Sequence, residues 1–493
     1  MIRNIANSKI NPAISLPSYD RQKLVARVVH LGCGAFHRAH QAVFTHHMLE
    51  KTGSDWGICE VSLFSGHRLI QQLKQQDCLC TIAEKGTEQT ELKIIGSMVD
   101  ALHPEFVGQQ GILETIAQPQ VAVISLTITE KGYCIDAASG KLDVNNALIQ
   151  RDLANPTEPT SAIGYIVEAL RLRYERDLPP LTVMSCDNIR ENGNIAREAV
   201  VGFARLRDEK LAQWIELNVT FPCTMVDRIV PAATPESVAE IAGQLGVYDP
   251  SAITCEPFRQ WVIEDNFANG RPNWDVAGAQ FVKDVMPFET MKLRMLNGSH
   301  SFLAYLGYLA GYAHIADAMA NPDYRQAALD LMLEEQAPTL TMPVGTDLFQ
   351  YAHLLIERFS NPNLKHQTGQ IAMDGSQKLP QRMFDSVIYH LANGSDYRHL
   401  ALGIAGWMRY VSGKDEQGKL IDVRDPLVEQ FKSIYQQYGL SVDVVPALLA
   451  IFGNPVLANP HFVRAVTAAY QLLLDCGARH AVAALDLADR KMI

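Results

Sequence analysis

Four polar side chains in the middle of the chain are spaced as a proton-transfer site would require. They follow Pro287, a residue type that suits the first position of a helix. At about 100° per residue, Lys292, Glu289, His300 and Asn297 fall at roughly 0°, 60°, 80° and 140° around that helix. The spacing therefore predicts one helical face that presents all four groups.

These groups suit the oxidation of an alcohol or the reduction of a carbonyl. Such a reaction needs a base for the hydroxyl proton and hydrogen-bond donors for the developing alkoxide. Lys292 can be the base if burial lowers its pKa from ~10.4 toward about 7–8. Asn297 can donate to the oxygen, His300 can orient the substrate or the lysine, and Glu289 can relay the proton to water. The alternative is an ordinary amphipathic helix whose Lys292 and Glu289 face solvent, and the sequence leaves both open.

A glycine-containing turn near the N-terminus predicts a dinucleotide site. In the segment 28–40, Gly32 allows a tight turn after a strand, and Gly34 allows the backbone to approach a pyrophosphate. The helix that follows offers free N–H groups and the positive end of its dipole. His37 occupies the position of the usual third glycine, and a simple turn between core elements is the alternative. Glu60, in the next strand, is a candidate for holding the adenosine ribose, and NAD is preferred over NADP.

Polar residues also follow two later strands. Asp187 and Asn188 come after the apolar run 181–186, and Asp227 comes after a further run. In open parallel sheets the ligand crevice lies beyond the carboxyl ends of the strands. Asn188 is therefore a candidate for a second donor to the substrate oxygen, or equally a turn residue.

The elements that must position these residues change character along the chain. Short β-branched runs alternate with helical stretches in the first half, which predicts a doubly wound, mostly parallel α/β sheet of Rossmann type. The predicted strands are 27–31, 57–62, 121–128, 181–184 and 218–221, and the predicted helices are 161–176 and 194–217. Helical periodicity dominates afterwards, at 324–335, 348–359, 399–411 and 462–476. We expect a dinucleotide-binding domain over 1–286 and a helical substrate and catalytic domain over 287–493.

Composition narrows the class of protein. The formal net charge of -11 argues against nucleic acid as a partner. The nine cysteines are scattered without a C-x-x-C pair, which favours free thiols in a reducing cytoplasm. No apolar run approaches the ~20 residues of a membrane span, and the N-terminus lacks the apolar core of a signal peptide. We expect a cytoplasmic enzyme with a small-molecule substrate, and the sequence does not indicate an oligomeric state.

Taken together, these motifs resemble the mannitol dehydrogenase family of polyol-specific long-chain dehydrogenases. The matching segments run in family order: the glycine turn from Gly32, Thr127 to Tyr133, Ser185 to Ile189 with Asn192 and Gly193, and Lys292, Asn297 and His300. The resemblance implies a Rossmann-type domain followed by a mainly helical one. It also implies catalysis that uses no metal.

The resemblance assigns roles to individual residues. It implies that Lys292 is the acid/base, that Asn188 and Asn297 bind the oxyanion, and that His300 positions the substrate with Glu289 as proton relay. The expected NAD-binding residues are Gly32, Gly34, Ala35, Phe36, His37, Arg38, Thr129 and Glu130, and the expected substrate-binding residues are Asp227, Gln370 and Lys378.

Within the family, the segments 366–380 and 129–134 resemble members that act on sugar acids. This implies interconversion of D-mannonate and D-fructuronate with NAD. Mannitol-specific members carry an arginine at the position of Gln370, whereas Lys378 keeps the family's basic residue. Candidates for the group that binds the substrate carboxylate are Lys378, Arg382, Lys131 and His366.

Other functions stay open at this point. The same chemistry can serve tagaturonate or a neutral polyol such as mannitol or arabinitol, because one epimer is worth only ~1–3 kcal/mol in a pocket. A protein that senses NAD(H) without turnover is an alternative of another class. A metal-dependent hydrolase or lyase would use the histidines at 37, 40, 46 and 47, although no H-E-x-x-H motif occurs there.

Overall fold

A computed structural model of the chain describes residues 5–136 and 139–489, with side chains described as far as residue 485. The first four residues of the N-terminal segment lie outside the described residues. The chain divides into two compact units between Met286 and Pro287. None of the helices in the described ranges combines the length and the apolar character that a bilayer crossing requires.

A five-stranded parallel sheet forms the centre of the first unit. Its strand order is β5-β2-β1-β6-β7, and every neighbouring pair is parallel. These strands are β1 Val25–Leu31, β2 Trp56–Val61, β5 Met98–Leu102, β6 Val123–Leu126 and β7 Thr182–Ser185. The four residues of β6 and of β7 are all buried, as expected for strands covered on both faces. The order reverses between β1 and β6, which is where a Rossmann-type sheet opens a ligand crevice.

Two small sheets complete the strand content of this unit as described. One has the order β4-β3-β9, with β3 Cys80–Lys85, β4 Thr90–Ile95 and β9 Ile253–Cys255. The other has the order β11-β10-β8, with β8 Thr224–Asp227, β10 Gln260–Glu264 and β11 Gln280–Val282. The prediction of a strand at 218–221 is wrong. Thr220 makes only an isolated bridge to Thr182, and the strand lies at 224–227, where β10 offers an antiparallel partner.

Helices cover the sheet of the first unit. They are α1 Ala35–Ala39, α2 Gln41–Thr52, α3 His67–Gln75, α4 Pro104–Ile116, α5 Thr129–Gly132, α6 Ala147–Ala154, α7 Ala162–Glu175, α8 Asn192–Arg207, α9 Glu209–Asn218 and α10 Pro235–Leu245. The helix predicted over 194–217 is two helices, because Asp208 has extended backbone and caps α9 by accepting from the Lys210 N–H. The prediction of a Rossmann-type α/β domain is confirmed.

The second unit is helical. Its helices are α11 Met286–Met291, α12 Ser299–Leu309, α13 Ile315–Ala320, α14 Pro322–Asp330, α15 Leu348–Phe359, α16 Thr368–Ile371, α17 Gly375–Leu379, α18 Asp385–Asn393, α19 Arg398–Val411, α20 Val428–Tyr438, α21 Val444–Ala450 and α22 Pro460–Asp489. Helix α19 is buried on all sides, from His399 to Val411. The prediction of a mainly helical second part is confirmed.

Within its described residues this unit contains three π-helical segments, at Lys292–Gly298, Leu331–Gln336 and Pro380–Phe384. The first and third lie against each other, because a Cβ on Gly298 would come within 2.7 Å of the Arg382 carbonyl oxygen. Only glycine permits this approach. π-Helical turns are rare and are found frequently at functional sites.

Candidate active site

The turn between β1 and α1 has the geometry that a pyrophosphate requires. Gly32 has a φ of 109°, and a Cβ there would overlap the carbonyl oxygen of Thr127, the residue that follows β6. The Gly34 N–H donates to the Gly32 carbonyl over 2.6 Å, and the exposed Gly34 has room for a close approach, since a Cβ would meet nothing nearer than 3.8 Å. The N–H groups of the first turn of α1 have no partner within the helix. The residues present therefore fit a dinucleotide phosphate at the sheet's switch point.

The side chains of His37 and Arg38 lie in the core beneath this turn. His37 stacks on His30 with centroids 3.3 Å apart, and its Nε2 lies 2.6 Å from Glu60 Oε1. Burial lowers the pKa of both histidines to about 3. Arg38 donates to the carbonyl oxygens of Gly34 and Ser251. Any contact of these two residues with a dinucleotide would therefore come from the backbone.

The expectation that Glu60 holds the ribose is wrong. Its side chain is completely buried in β2, and burial raises the pKa of the carboxyl. A ribose cannot reach a group enclosed by the sheet and by α1. The sequence gives no sign of this, because an acidic residue at the end of a strand and one inside it look alike.

The histidines at 37, 40, 46 and 47 do not converge on a metal position. His40 Nε2 bonds the Gln260 carbonyl and His46 Nδ1 bonds the Tyr19 hydroxyl. His30, His37 and Glu60 are the one group in the described ranges whose ligand atoms lie within 4.8 Å of one another. Their two rings are nearly parallel, at 11°, so the nitrogen lone pairs lie in parallel planes and do not point to a common ion.

A half-buried carboxylate joins the loops that follow β6 and β7. Asp187 accepts from the N–H groups of Ile128 and Thr129 over 3.0 and 2.9 Å, and from the Tyr133 hydroxyl over 2.5 Å. Thr129 has a φ of 62°, a left-handed conformation that is uncommon without a stabilising contact. Burial raises the pKa of Asp187 in spite of these bonds. Thr129 and Glu130, the expected cofactor contacts on α5, are exposed.

Two expected site residues, the oxyanion donor Asn188 and the substrate contact Asp227, lie at strand ends in the first unit. Asn188 is exposed in the loop after β7, and Asp227 is the buried last residue of β8. Asn192 joins these two elements, because its amide donates to the Asp187 carbonyl and accepts from the Thr224 N–H. The fold thus places Asn188 and Asp227 on linked elements at the carboxyl edge of the strands.

In the second unit, the predicted proton-transfer residues occupy one buried helical stretch. Glu289 lies on α11, Lys292 begins the first π-helical segment, Asn297 lies near its end and His300 lies on α12; all four are less than 9% exposed. The angular positions predicted at 100° per residue are wrong for 292–298. A π-helix closes its hydrogen bonds from i to i+5, so Lys292 and Asn297 are neighbours on successive turns. The helix also continues past Gly298.

Several buried polar atoms in this stretch, or on a residue that contacts it, have no hydrogen-bond partner among the described residues. They are Asn297 Nδ2, His300 Nε2 and His366 Nδ1. The His300 ring stacks on Phe359 at 4.9 Å and contacts the His366 ring edge-on at 4.8 Å. Unsatisfied buried donors are costly, and their presence together indicates a site whose ligand supplies the missing partners.

The surroundings of His300 are electropositive. Burial, together with the charges of Arg382, Arg358 and Lys378, lowers the pKa of His300 well below its usual range. Burial likewise lowers the pKa of His366 to about 4 and that of Lys378 to about 8. Both histidines are therefore neutral at pH 7, and each can donate one hydrogen bond and accept another.

The remaining substrate candidates differ in exposure. Gln370 is exposed on α16, Lys378 is half-buried on α17, and Lys131 is exposed on α5. Phe359 and Arg358, at the end of α15, were not among the predicted site residues. Their sequence context is an amphipathic helix end, which carries no signal of a site.

The fold and the glycine turn define the class of protein as a Rossmann-type oxidoreductase, and comparison with known proteins agrees. Residues 26–276 match the mannitol dehydrogenase Rossmann domain, and residues 284–474 match the mannitol dehydrogenase C-terminal domain. The chain belongs to the mannitol dehydrogenase family, which confirms the resemblance inferred from the motifs.

Relatives and solved structures cover nearly the whole chain. The D-mannonate oxidoreductase of Escherichia coli (strain K12) is 67% identical over 480 residues, which are 96% of this chain and 99% of that protein. A D-sorbitol dehydrogenase solved in substrate-free form has a TM-score of 0.91 at 34% identity, over 98% of this chain and 100% of that one. The mannitol 2-dehydrogenase of Pseudomonas fluorescens, solved with NAD and D-mannitol, has a TM-score of 0.85 at 37% identity, over 97% of each chain.

Proposed function

We propose that this protein interconverts D-mannonate and D-fructuronate with NAD as cofactor. One structural observation carries the proposal: unpartnered polar atoms of Asn297 and His300 lie in the buried stretch that contains Lys292, among cationic side chains. Hydrogen-bonding groups of this kind suit a polyhydroxylated substrate, and positive charge suits one with a carboxylate. The 67% identity to a D-mannonate oxidoreductase supports the same substrate.

The chain's own residues supply binding and proton transfer. Bound NAD would supply the hydride acceptor for oxidation and, as NADH, the hydride donor for reduction. Gly32, Gly34 and the backbone of residues 35–38 would hold the pyrophosphate, with Thr129 and Glu130 as further contacts. In the direction of reduction, protonated Lys292 would donate its proton to the carbonyl oxygen at C5, and Glu289 would return a proton to the lysine.

The remaining residues orient the substrate. Asn297 is proposed to donate a hydrogen bond to the reacting oxygen through Nδ2, with Asn188 as a second donor. Neutral His300 would bond a substrate hydroxyl through Nε2. Asp227, Gln370 and Lys378 are proposed as further substrate contacts. Fixed donors that meet the developing negative charge stabilise the transition state more than the ground state.

The state of the cysteines bears on the compartment in which the protein works. All nine cysteines are free and eight are buried, which fits a reducing compartment such as the cytoplasm. The proposed partner is a sugar acid, with neither nucleic acid nor membrane involved. The nearest alternative functions are reduction of tagaturonate and oxidation of a neutral polyol.

Steady-state turnover tests the proposal. Purified protein would be mixed with NADH and D-fructuronate, D-tagaturonate or D-fructose, with a chelator present throughout, and the loss of NADH absorbance would be followed. We expect D-fructuronate to have the highest kcat/KM. Preference for D-fructose would place the protein with the polyol dehydrogenases. NADH binding without turnover of any substrate would favour a sensing protein, and loss of activity in chelator would contradict catalysis without a metal.

A further inference from the structure

Arg382, in the second unit, forms few hydrogen bonds for an arginine. It lies in the π-helical segment Pro380–Phe384, next to the segment that carries Lys292 and Asn297. Its Nη1 donates to the Ser301 hydroxyl over 3.0 Å and makes a long contact of 3.5 Å to the Asn297 carbonyl. Among the described residues it forms no salt bridge, and its Nε and Nη2 have no hydrogen-bond partner.

Two deeply buried arginines, Arg228 and Arg173, have a partner for every side-chain nitrogen, whereas Arg207 and Arg259 each keep one buried nitrogen without a partner among the described residues. Arg228 pairs with Glu84 at 2.5 Å, and Arg207 pairs with Glu168 at 2.7 Å. Arg173 has no carboxylate partner but makes hydrogen bonds to the carbonyls of Ile116, Gln118, Val121 and Pro179. Arg382 has neither a carboxylate nor a set of carbonyls, although burial lowers the pKa of its guanidinium to about 10. A half-buried guanidinium with so few partners leaves donors available for a ligand that carries the counter-charge.

The position of Arg382 matches the position of the site. The Arg382 side chain contacts Asn297 and Ser301. His300 lies between these two residues in the sequence, and the charge of Arg382 helps to lower the pKa of His300. Lys378, one helical turn earlier on the adjoining helix, adds a second cation that makes no salt bridge among the described residues. The open edge of the guanidinium, formed by Nε and Nη2, has the two parallel donors that a carboxylate accepts in bidentate fashion.

The other candidates for a carboxylate contact fit less well. His366 is uncharged at pH 7, because burial lowers its pKa to about 4. Lys131 is exposed on α5, where water competes with any ligand. Gln370 is exposed and neutral.

We propose that Arg382 binds the substrate carboxylate through Nε and Nη2, and so selects sugar acids over neutral polyols. This inference rests on the proposed function, because it names the group that recognises the acid end of the proposed substrate. D-Mannonate and D-mannitol are a matched pair for testing it. They differ only at the end of the chain, where one has a carboxylate and the other a hydroxymethyl group.

Binding to the enzyme–NADH complex separates this inference from turnover. D-Mannonate and D-mannitol would each be titrated into wild type, Arg382→Met and Arg382→Lys, with the NADH fluorescence as signal. We expect wild type to bind D-mannonate more tightly than D-mannitol. Arg382→Met should weaken D-mannonate binding about 10- to 100-fold, as for a lost charge-assisted hydrogen bond, and change D-mannitol binding less than about 3-fold. The affinity of Arg382→Lys for D-mannonate should lie between those of wild type and Arg382→Met. Lysine keeps the positive charge but lacks the two parallel N–H donors of a guanidinium.

Arg325→Met is the control for the loss of an arginine elsewhere in the second unit, at an exposed position. Arg325 lies on α14 and donates to the Met319 carbonyl over 3.0 and 2.8 Å, so its removal should leave both affinities unchanged. An equal loss of both ligands in Arg382→Met would show a structural role and overturn the proposal. So would a carboxylate preference that survives in both Arg382 variants, or wild type without such a preference.

Turnover of D-fructuronate by wild type decides the proposed function independently. If wild type reduces D-fructuronate but the preference for D-mannonate survives Arg382→Met, only the role of Arg382 is overturned. If wild type fails to reduce D-fructuronate but shows the Arg382-dependent preference, the carboxylate contact stands and the proposed reaction is overturned.

Discussion

The hydroxyl of Tyr133 donates to the carboxylate of Asp187 over 2.5 Å, and the same hydroxyl lies 2.6 Å from the Ser185 hydroxyl. Since a phenol has one proton, Tyr133 donates to Asp187 and accepts from Ser185. The bond joins the segment after β6 to the end of β7. Asp187 also accepts from the Thr129 N–H and directly precedes Asn188. The Tyr133–Asp187 hydrogen bond is therefore an anchor that holds both loops expected to be functional.

Removal of this anchor should weaken cofactor binding as well as the fold. Tyr133→Phe leaves Asp187 with its backbone donors only, at a cost of about 1–3 kcal/mol, and it frees Thr129 to leave its left-handed conformation. We expect a lower thermal midpoint and a several-fold higher Kd for NADH, measured by fluorescence titration. The control is Tyr165→Phe, because Tyr165 is a buried tyrosine of the same unit whose hydroxyl has no hydrogen bond among the described residues. Equal effects of the two variants on the NADH Kd would contradict the proposed link.

The two glycines of the phosphate turn should respond differently to alanine. Gly32→Ala places a Cβ against the Thr127 carbonyl at a φ of 109°, so it should destabilise the first unit by at least about 1–3 kcal/mol. Gly34→Ala meets nothing nearer than 3.8 Å and should leave the melting temperature of the apoprotein unchanged. Its Cβ would occupy space that a pyrophosphate needs, so NADH binding should weaken. Thermal melts with and without NADH measure both effects, and a normal NADH Kd in Gly34→Ala would contradict the assigned phosphate position.

Four of the five strands of the central sheet could be predicted because they are short and apolar, whereas β5 at 98–102, which is only partly buried and contains Asp100, was not predicted. Strands 25–31, 56–61, 123–126 and 182–185 follow β-branched runs that are visible in the sequence. The hairpin β3 and β4 was not predicted, because its residues alternate with charges and its pairing is set by contact with the distant β9. The prediction of a strand at 218–221 was wrong for a similar reason. The position of the strand is set by pairing with β10, which is distant in sequence and pairs with 224–227.

The sequence could predict which residues lie together in the candidate site, but not their geometry. Spacing and resemblance both single out Lys292, Asn297 and His300, and the structure places all three in one buried stretch. The π-helical register was not predictable, because it depends on the approach of Gly298 to Arg382, which lies on a segment far along the chain. For Glu60 the predicted role was wrong. The residue type suits a ribose contact, but the fold buries the side chain completely.

Recognition of the substrate carboxylate should weaken at alkaline pH. Burial lowers the pKa of Lys378 to about 8, so the residue is charged below that pH and loses its charge as the pH rises through it. We expect the ratio of kcat/KM for D-fructuronate to that for D-fructose to fall above about pH 8, because kcat/KM reports the free enzyme. The titration of a group that affects both substrates equally changes both kcat/KM values by the same factor, so it does not alter their ratio.

A variant that cannot lose its charge provides the control for this pH dependence. Lys378→Arg keeps a cation at all accessible pH values, so the substrate ratio should become flat across the same range. A ratio that still falls near pH 8 in Lys378→Arg would assign the titration to another group. A ratio that is flat in wild type would contradict a role for Lys378 in binding the acid.

Loss of Lys292 should remove chemistry and leave cofactor binding intact. Lys292 is 7% exposed and lies in the second unit, whereas the glycine turn lies in the first. General acid–base groups contribute about 10²- to 10⁴-fold, so Lys292→Met should lower kcat by that factor in both reaction directions. The Kd for NADH should stay within about 2-fold of wild type, as expected for a group that acts on the substrate oxygen. Lys432→Met on α20, an exposed lysine paired with Glu429, is the control and should behave as wild type. If Lys292→Met keeps more than about a tenth of the wild-type kcat, another residue must transfer the proton. Glu289 would then be the first candidate, because it precedes the lysine on the same buried stretch.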